Sequence, residues 1–515
     1  MGTQNTRFAT IQPMSALEQT RIAKQLKIDS TKSVDERRKL GQFSTPFSLA
    51  SEVTKYGLSL LEYQANIRFL EPAIGTGSFF SALLGLVDSN AISSALGFEI
   101  DTSYSSVAKS LWGEKININI CDFTKSKCLS KVNLLLSNPP YVRHHYISQQ
   151  DKKRMSDEIF DLLGIKLSGL AGLYCYFILL SHKWLEAGAV SGWLIPSEFM
   201  DVNYGDGIKD YLLNKVRLVR IHRYNPENPL FNDALVSSCV VWFKNEQVDN
   251  DYEIEFSYGG SHDSPDSIMR IKKSNLKNEN KWTRFPCKEQ RTPQAESCCI
   301  GDYFTVSRGL ATGDNNYFIM TKEQIAERGI DMKYFTPILP SPRYLKTSRI
   351  DSTSDGNPVI FPQYFLLNCN MPESEAKKDI SLWSYLLKGK ERVAQRYLCK
   401  SRKIWYSQEH RDPAPILCTY MGRNTTNKAP FRFILNNSKA VVTNSYLILY
   451  PKKIVSDALR KRPSLILDIW NCLNSISADD LEGEGRVYGG GLKKIEPKEL
   501  EKVRCNELRN LLEMG

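Results

Sequence analysis

An apolar run that stops against two prolines constrains this chain most. Val132-Asn133-Leu134-Leu135-Leu136-Ser137 is followed directly by Asn138-Pro139-Pro140-Tyr141. A short run of that kind reads as a strand buried on both faces, and the prolines can neither extend it nor donate to it, so a rigid loop must follow. Strand ends of this sort are where open α/β sheets bind ligands. The prolines remove two N–H donors, which leaves carbonyl oxygens and the Asn138 amide oxygen as acceptors in a preset geometry. Acceptors so arranged suit an amine, and Tyr141 adds a flat face for a planar ring. Two acceptors holding the protons of a weakly nucleophilic exocyclic amine stabilise the positive charge that grows on its nitrogen as a bond forms, so no strong base is required. A plain strand-ending turn uses the same residues, and the surrounding order of elements must decide between them.

That order is an alternation. In Gly41-Gln42-Phe43-Ser44-Thr45-Pro46-Phe47, Thr45 before Pro46 is expected to cap a helix that carries Leu49, Val53 and Leu58. Ile67 to Leu70 reads as a strand, followed by Glu71-Pro72-Ala73-Ile74-Gly75-Thr76-Gly77-Ser78 and an apolar helix through Leu86. Gly75 and Gly77 let the backbone approach a ligand, as in nucleotide-binding sheets. A second strand, Ala95 to Ile100, ends in Glu99, a carboxylate able to take two ribose hydroxyls. After a helix from Ser103 to Trp112, a third strand, Ile116 to Ile120, ends in Cys121-Asp122-Phe123. There Asp122 is placed to accept from an adenine amine and Phe123 to pack on its ring. Beyond Tyr141, the basic stretch from Arg143 to Ser168 is long enough to form a lid over an anionic substrate.

A helix from Leu170 to Leu185 and a strand from Gly188 to Ile195 continue the pattern, then a helix from Ile208 to Leu213 and strands from Leu218 to Tyr224 and Leu235 to Phe243. Five strands separated by helix-length segments, then two joined by a short link, predict a parallel sheet with one antiparallel edge pair. The link holds Phe231.

A chain of 515 residues exceeds one compact core. We expect an N-terminal arm at 1–40 with a solvated helix from Ser15 to Lys27, a catalytic domain at 41–245, and a further domain at 246–515. The formal charge of +11 favours an acidic partner, nucleic acid first and a membrane surface second. The twelve cysteines are scattered without CxxC or His-rich spacing, so neither a zinc site nor a disulfide framework is indicated. With no signal-like segment and no long apolar run, the expected location is the cytoplasm, with no membrane partner.

Taken in order, Gly41 to Phe243 resembles the gamma-class amino-methyltransferases of DNA, the group represented by the TaqI methyltransferase of type II restriction-modification systems. The resemblance implies a Rossmann-like sheet that binds S-adenosylmethionine, followed by a C-terminal mixed α+β domain that recognises the DNA target. It assigns cofactor contacts to Thr45, Pro46 and Phe47, to Glu71, Ala73, Gly75 and Gly77, to Glu99 and Ile100, to Asp122 and Phe123, and to Asn138. It assigns the catalytic motif for adenine N6 to Asn138, Pro139, Pro140 and Tyr141, with Tyr141 and Phe231 packing on an adenine rotated out of double-stranded DNA. Asn at the first motif position favours adenine over cytosine. No metal is implied.

In the second half, Val306 to Asn315 and Tyr488 to Pro497 resemble target-recognition segments of related adenine methyltransferases, and their glycines are candidates for close backbone approach to DNA. Pro265-Asp266 with Glu279-Asn280-Lys281 carries the letters of a nuclease metal motif, but the flanking Lys and Asn residues do not form the apolar strands such a site requires. A cleavage partner is therefore expected to be a separately encoded restriction endonuclease. The rival readings are a protein glutamine-N5 methyltransferase, which also uses Asn-Pro-Pro-Tyr, an RNA adenine methyltransferase, and a non-catalytic DNA-binding subunit.

Overall fold

The computed structural model describes residues 15–226, 237–246, 250–277, 279–286, 298–423, 429–488 and 491–513. The chain divides into two compact units, Met1–Gln290 and Arg291–Gly515.

The described strands of the first unit form one sheet: β1 (Ile67–Glu71), β2 (Ile92–Phe98), β3 (Asn117–Asn119), β4 (Val132–Ser137), β5 (Leu185–Pro196), β6 (Arg217–Arg223), β7 (Ser238–Lys244), β8 (Glu253–Tyr258) and β9 (Ser267–Lys272). Their order is β3-β2-β1-β4-β5-β7-β6-β8-β9. The first five are parallel, and β7 runs antiparallel to both β5 and β6. The sheet builds outward in one direction from β1 to β3 and then resumes on the other side with β4. This reversal opens a crevice at the carboxyl ends of β1 and β4. The loops that start at Glu71 and Asn138 meet there.

The unbroken apolar character of the central strands follows from burial on both faces. Val132 and Leu135 of β4 pack into one core, while Leu134 and Leu136 pack into the other. β7 alternates in the same way, with Val241 and Phe243 on one face and Val240 and Trp242 on the opposite one. Helices α3 (Phe47–Ser59), α4 (Ser78–Leu86) and α5 (Thr102–Trp112) cover the second face through Leu49, Phe79 and Ala108. Helices α6 (Gln149–Leu163), α7 (Leu173–Ser181) and α8 (Asp206–Asn214) cover the first through Met155, Tyr174 and Ile208. Ahead of these lie α1 (Ala16–Thr31) and α2 (Val34–Leu40).

Several expectations change. The antiparallel pair is present but is not the edge, because β8 pairs parallel to β6 and β9 pairs antiparallel to β8. For the same reason the compact units part after Gln290 and not after residue 245. The N-terminal segment is not a solvated arm: Glu18, Arg21 and Gln25 of α1 are buried. Thr45 does not cap α3, whose N-cap is Pro46 with no side-chain cap bond. The nuclease-like letters have ordinary structural partners. Asp266 lies over the Gly259–Gly260 turn, and Glu279 pairs with Arg284 at 3.3 Å.

The second unit is a mixed α+β body. A five-stranded sheet runs in the order Phe304–Arg308, Tyr446–Pro451, Ile416–Thr419, Phe433–Asn436 and Arg349–Ile350. Two smaller sheets join Ile319–Thr321, Tyr364–Leu367 and Phe335–Ile338, and Met421–Arg423, Leu492–Lys494 and Arg486–Tyr488. Gly309 and Gly313 each lie where internal packing leaves no room for a side chain. A Cβ on Gly309 would lie 2.1 Å from the Thr443 carbonyl, and one on Gly313 would lie 2.6 Å from the Cys399 sulfur.

The turn into α4 makes a stability prediction. Gly77 has φ +90°, and a Cβ there would lie 2.7 Å from Trp112 Nε1. Gly77→Ala should therefore cost about 1–3 kcal/mol through the left-handed backbone alone. Thermal unfolding should show a lowered midpoint, whereas an unchanged midpoint would contradict this packing.

Candidate active site

At the β1/β4 reversal lies a cavity of about 540 Å³, within the range of small-molecule sites. Its walls come from the Gly41–Thr45 segment, the Glu71–Thr76 loop, the ends of β2 and β3, the Asn138 loop, and the segment from Tyr146 to Met155.

Asn138 is held from one side only. Its Nδ2 donates to the Phe43 carbonyl at 2.9 Å and to Thr45 Oγ1 at 3.1 Å. Because a carbonyl can only accept, the Phe43 bond fixes which way the amide points. Its oxygen then faces away, buried and without a hydrogen-bond partner. A buried acceptor left unmatched is costly, so this atom marks a place for a donor. Thr45, expected to cap a helix, orients the amide instead.

Around this atom the loops are fixed by their own polar groups. Glu71 is buried, and its Oε2 accepts from the Phe80 N–H at 3.2 Å, so it caps the start of α4. Burial pushes its carboxyl well above the ordinary range, against the opposing pull of the Phe80 and Phe79 N–H groups and Arg21. Glu99 accepts from the Gly75 N–H through Oε2 and from the Asp101 N–H through Oε1, both at 2.9 Å. Each oxygen keeps a lone pair for a further donor. Its carboxyl is also raised by burial. Asp122 Oδ1 accepts from the Thr124 N–H at 2.9 Å and hydroxyl at 2.7 Å. The Cβ position of Gly75 meets nothing within 4 Å, so its backbone faces open space.

Of the residues singled out in the sequence, Thr45, Glu71, Ala73, Gly75, Glu99, Ile100, Asp122, Phe123, Asn138 and Pro140 line this cavity. Pro46, Phe47, Gly77, Pro139 and Tyr141 are not among the lining residues. The Tyr141 hydroxyl donates to the Leu194 carbonyl at 3.1 Å, and its ring centre lies 5.6 Å from that of Phe43. Phe231 lies outside the described residues.

Sequence reasoning missed Gln25 and Tyr104, which also line the cavity. It likewise missed the way Arg154 ties α6 to the third loop, donating to the Thr124 carbonyl at 2.8 Å and hydroxyl at 2.9 Å. In the second unit, Tyr420 brings the two motif segments together: Arg308 lies 4.2 Å over its ring and Lys494 lies 5.1 Å from it.

Two stretches match one restriction-modification family. The profile of the Eco57I restriction-modification methylase matches residues 50–231, and that of the C-terminal domain of the type II methyltransferase M.Eco57I matches 286–513. Both units of the chain are thus similar to the Eco57I-type restriction-modification methylases. The type II methyltransferase M.AccI of Acinetobacter calcoaceticus is 29% identical over 489 residues, covering 91% of this chain and 86% of its own. M.XamI of Xanthomonas campestris pv. amaranthicola is 26% identical over 457 residues, covering 86% and 81%. Among solved structures, DrdV in its DNA complex overlays 90% of this methylase at a TM-score of 0.50 and 12% identity, a likeness of fold. The type IIG restriction endonuclease BpuSI overlays 97% at a TM-score of 0.48 and 15% identity. This methylase spans 55% of the DrdV chain and 63% of the BpuSI chain.

Glu71 makes a pH prediction for the methylase. An acid whose folded pKa is raised above its ordinary 4.5 stabilises the fold fully below 4.5, and that contribution is lost as pH rises through the raised value. Glu71→Gln keeps an acceptor for Phe80 and removes the ionisation. Thermal scans across pH should show a shallower loss of stability above 4.5 in the variant than in the parent. Glu99, raised for the same reason, keeps some slope in both. Parallel slopes would contradict the assignment.

Proposed function

We propose that this methylase transfers the methyl group of S-adenosylmethionine to the N6 amine of an adenine rotated out of double-stranded DNA. The observation that carries this reading is the Asn138 amide oxygen: a buried acceptor without a partner, on the wall of a cavity whose other loops suit a nucleoside. The family relationship supports the transfer reaction, and the Asn-Pro-Pro-Tyr motif supports adenine as the target.

The residues present fit S-adenosylmethionine. Glu99 retains acceptor capacity for ribose hydroxyls, and Ile100, 68% exposed, offers apolar contact beside it. Asp122 and Phe123 would hold the cofactor's adenine, and the open face at Gly75 admits its methionine part. When bound, this cofactor supplies an electrophilic methyl group on a sulfonium that leaves as a neutral thioether. Adenine must leave the stack to reach such a pocket, at a cost of roughly a few kcal/mol. Asn138 Oδ1 and the Pro139 carbonyl would then accept hydrogen bonds from the two amine N–H groups, and one of those protons would pass to solvent after the methyl is transferred. The two hydrogen bonds orient the nitrogen lone pair toward the methyl carbon and offset the positive charge that develops on nitrogen. Because Nδ2 is already held by Phe43 and Thr45, the amide need not reorganise to do this. Tyr141, its hydroxyl anchored on Leu194, would present its ring to the base, with Phe231 as the second aromatic. The second unit, residues 291–515, would recognise the DNA sequence, and a separately encoded endonuclease would cut unmodified sites.

The test is methylation of unmethylated genomic DNA by the purified protein with labelled S-adenosylmethionine, followed by mapping of modified bases. N6-methyladenine should appear within one short sequence. Asn138→Ala should lower transfer by about 10²–10³-fold, the range for removing one preorganised charge-stabilising group. Label on RNA or protein with none on DNA would overturn the substrate, and N4-methylcytosine would overturn the target base.

A further inference from the structure

Helix α1 carries a polar stripe at positions 18, 21, 25 and 29, spaced to lie on one helical face. This face is buried where a solvated helix would expose it. Glu18 is fully buried and Arg21 is 2% exposed. Arg21 makes a fork to Glu18, with Nε donating to Oε2 at 2.8 Å and Nη2 to Oε1 at 2.7 Å. Its remaining Nη1 donates to Thr76 Oγ1 at 2.8 Å, and that hydroxyl donates to Gln25 Oε1 at 2.6 Å. Gln25 Nε2 donates onward to Asp29, which also accepts from the Tyr104 hydroxyl at 2.9 Å and the Ser44 hydroxyl at 3.0 Å. Ser81 of α4 donates to Glu18 at 2.6 Å at the other end. One continuous hydrogen-bond relay thus joins α4, the glycine loop, α5 and the Gly41–Thr45 segment along α1.

Thr76 sits between two glycines with φ of +56° and +90°, so the loop does not determine its own shape. Its hydroxyl is used twice by α1, and its carbonyl accepts from Trp112 Nε1 at 2.9 Å. A buried ion pair is a weak source of stability, because desolvation offsets most of the attraction, but its geometry is exacting. We propose that Arg21 is a positioning residue for cofactor binding: acting through Thr76, it holds the Gly75–Gly77 loop in the shape that receives the methionine part of S-adenosylmethionine. Arg21 itself does not line the cavity, whereas Thr76 and Gln25 do. The inference rests on the cofactor reading given under Proposed function.

The test uses the full chain and two variants. Arg21→Lys keeps the charge but cannot span the fork, and Glu18→Gln combined with Arg21→Met removes both charges so that no lone buried carboxylate remains. Equilibrium binding of S-adenosylmethionine and of duplex DNA is measured for each, together with the thermal midpoint. In both variants cofactor Kd should rise roughly tenfold or more while DNA Kd stays within about twofold. Thr76→Val should weaken cofactor binding similarly, and adding it to Arg21→Lys should give little further loss, because both break one link. Cofactor affinity within about twofold of the parent in both Arg21 variants would overturn the proposal. So would parallel losses of cofactor binding, DNA binding and thermal midpoint, which mark general disorder. A parent protein that binds no S-adenosylmethionine would overturn the cofactor reading and the clamp with it.

Discussion

The Asn138 amide aims its oxygen because its nitrogen is held twice, by the Phe43 carbonyl and the Thr45 hydroxyl. Everything else at the site depends on that asymmetry. A freely rotating amide would find a local donor for its oxygen. Held as it is, it keeps one acceptor unmatched in a buried wall. The sheet supplies the context: β4 is buried on both faces, so its last residue cannot shift, and Pro139 and Pro140 prevent the chain from relaxing into another strand residue.

The cavity is thereby built from segments that are individually weak constraints. Glu71 secures the start of α4, Glu99 holds the Gly75 amide, and Arg154 of α6 holds the loop after β3. Glu71 and Glu99 anchor backbone on one side while lining the cavity on the other. Such preorganisation suits a reaction in which a neutral amine attacks a good leaving group, since positioning and charge complementarity carry most of the rate.

The sheet and most of the cavity lining were legible in the sequence because they follow from local pattern. Apolar runs ending in Glu71, Glu99, Asp122 and Asn138 recur at helix-length intervals, and each acid or amide falls at a strand's carboxyl end. The role of α1 was not legible. Glu18, Arg21, Gln25 and Asp29 look like a hydrated face, and the partner that buries Arg21 lies 55 residues away at Thr76. The edge of the first unit was hidden for a related reason. β8 and β9 mix charged and apolar residues as half-exposed strands do, and β7 inserts between β5 and β6 through pairing that no local signal encodes. Thr45 was read as a cap because its hydroxyl precedes a helix, yet Asn138, 93 residues away, takes that hydroxyl.

The role of the Asn138 oxygen is tested most directly by a crystal structure of the protein with a cofactor analogue and duplex DNA carrying its target. The expected result is an extrahelical adenine whose N6 lies within about 2.7–3.2 Å of Asn138 Oδ1. Asn138 Nδ2 should remain on the Phe43 carbonyl. An Asn138 oxygen satisfied by a protein group, with the target base seated elsewhere, would contradict that role.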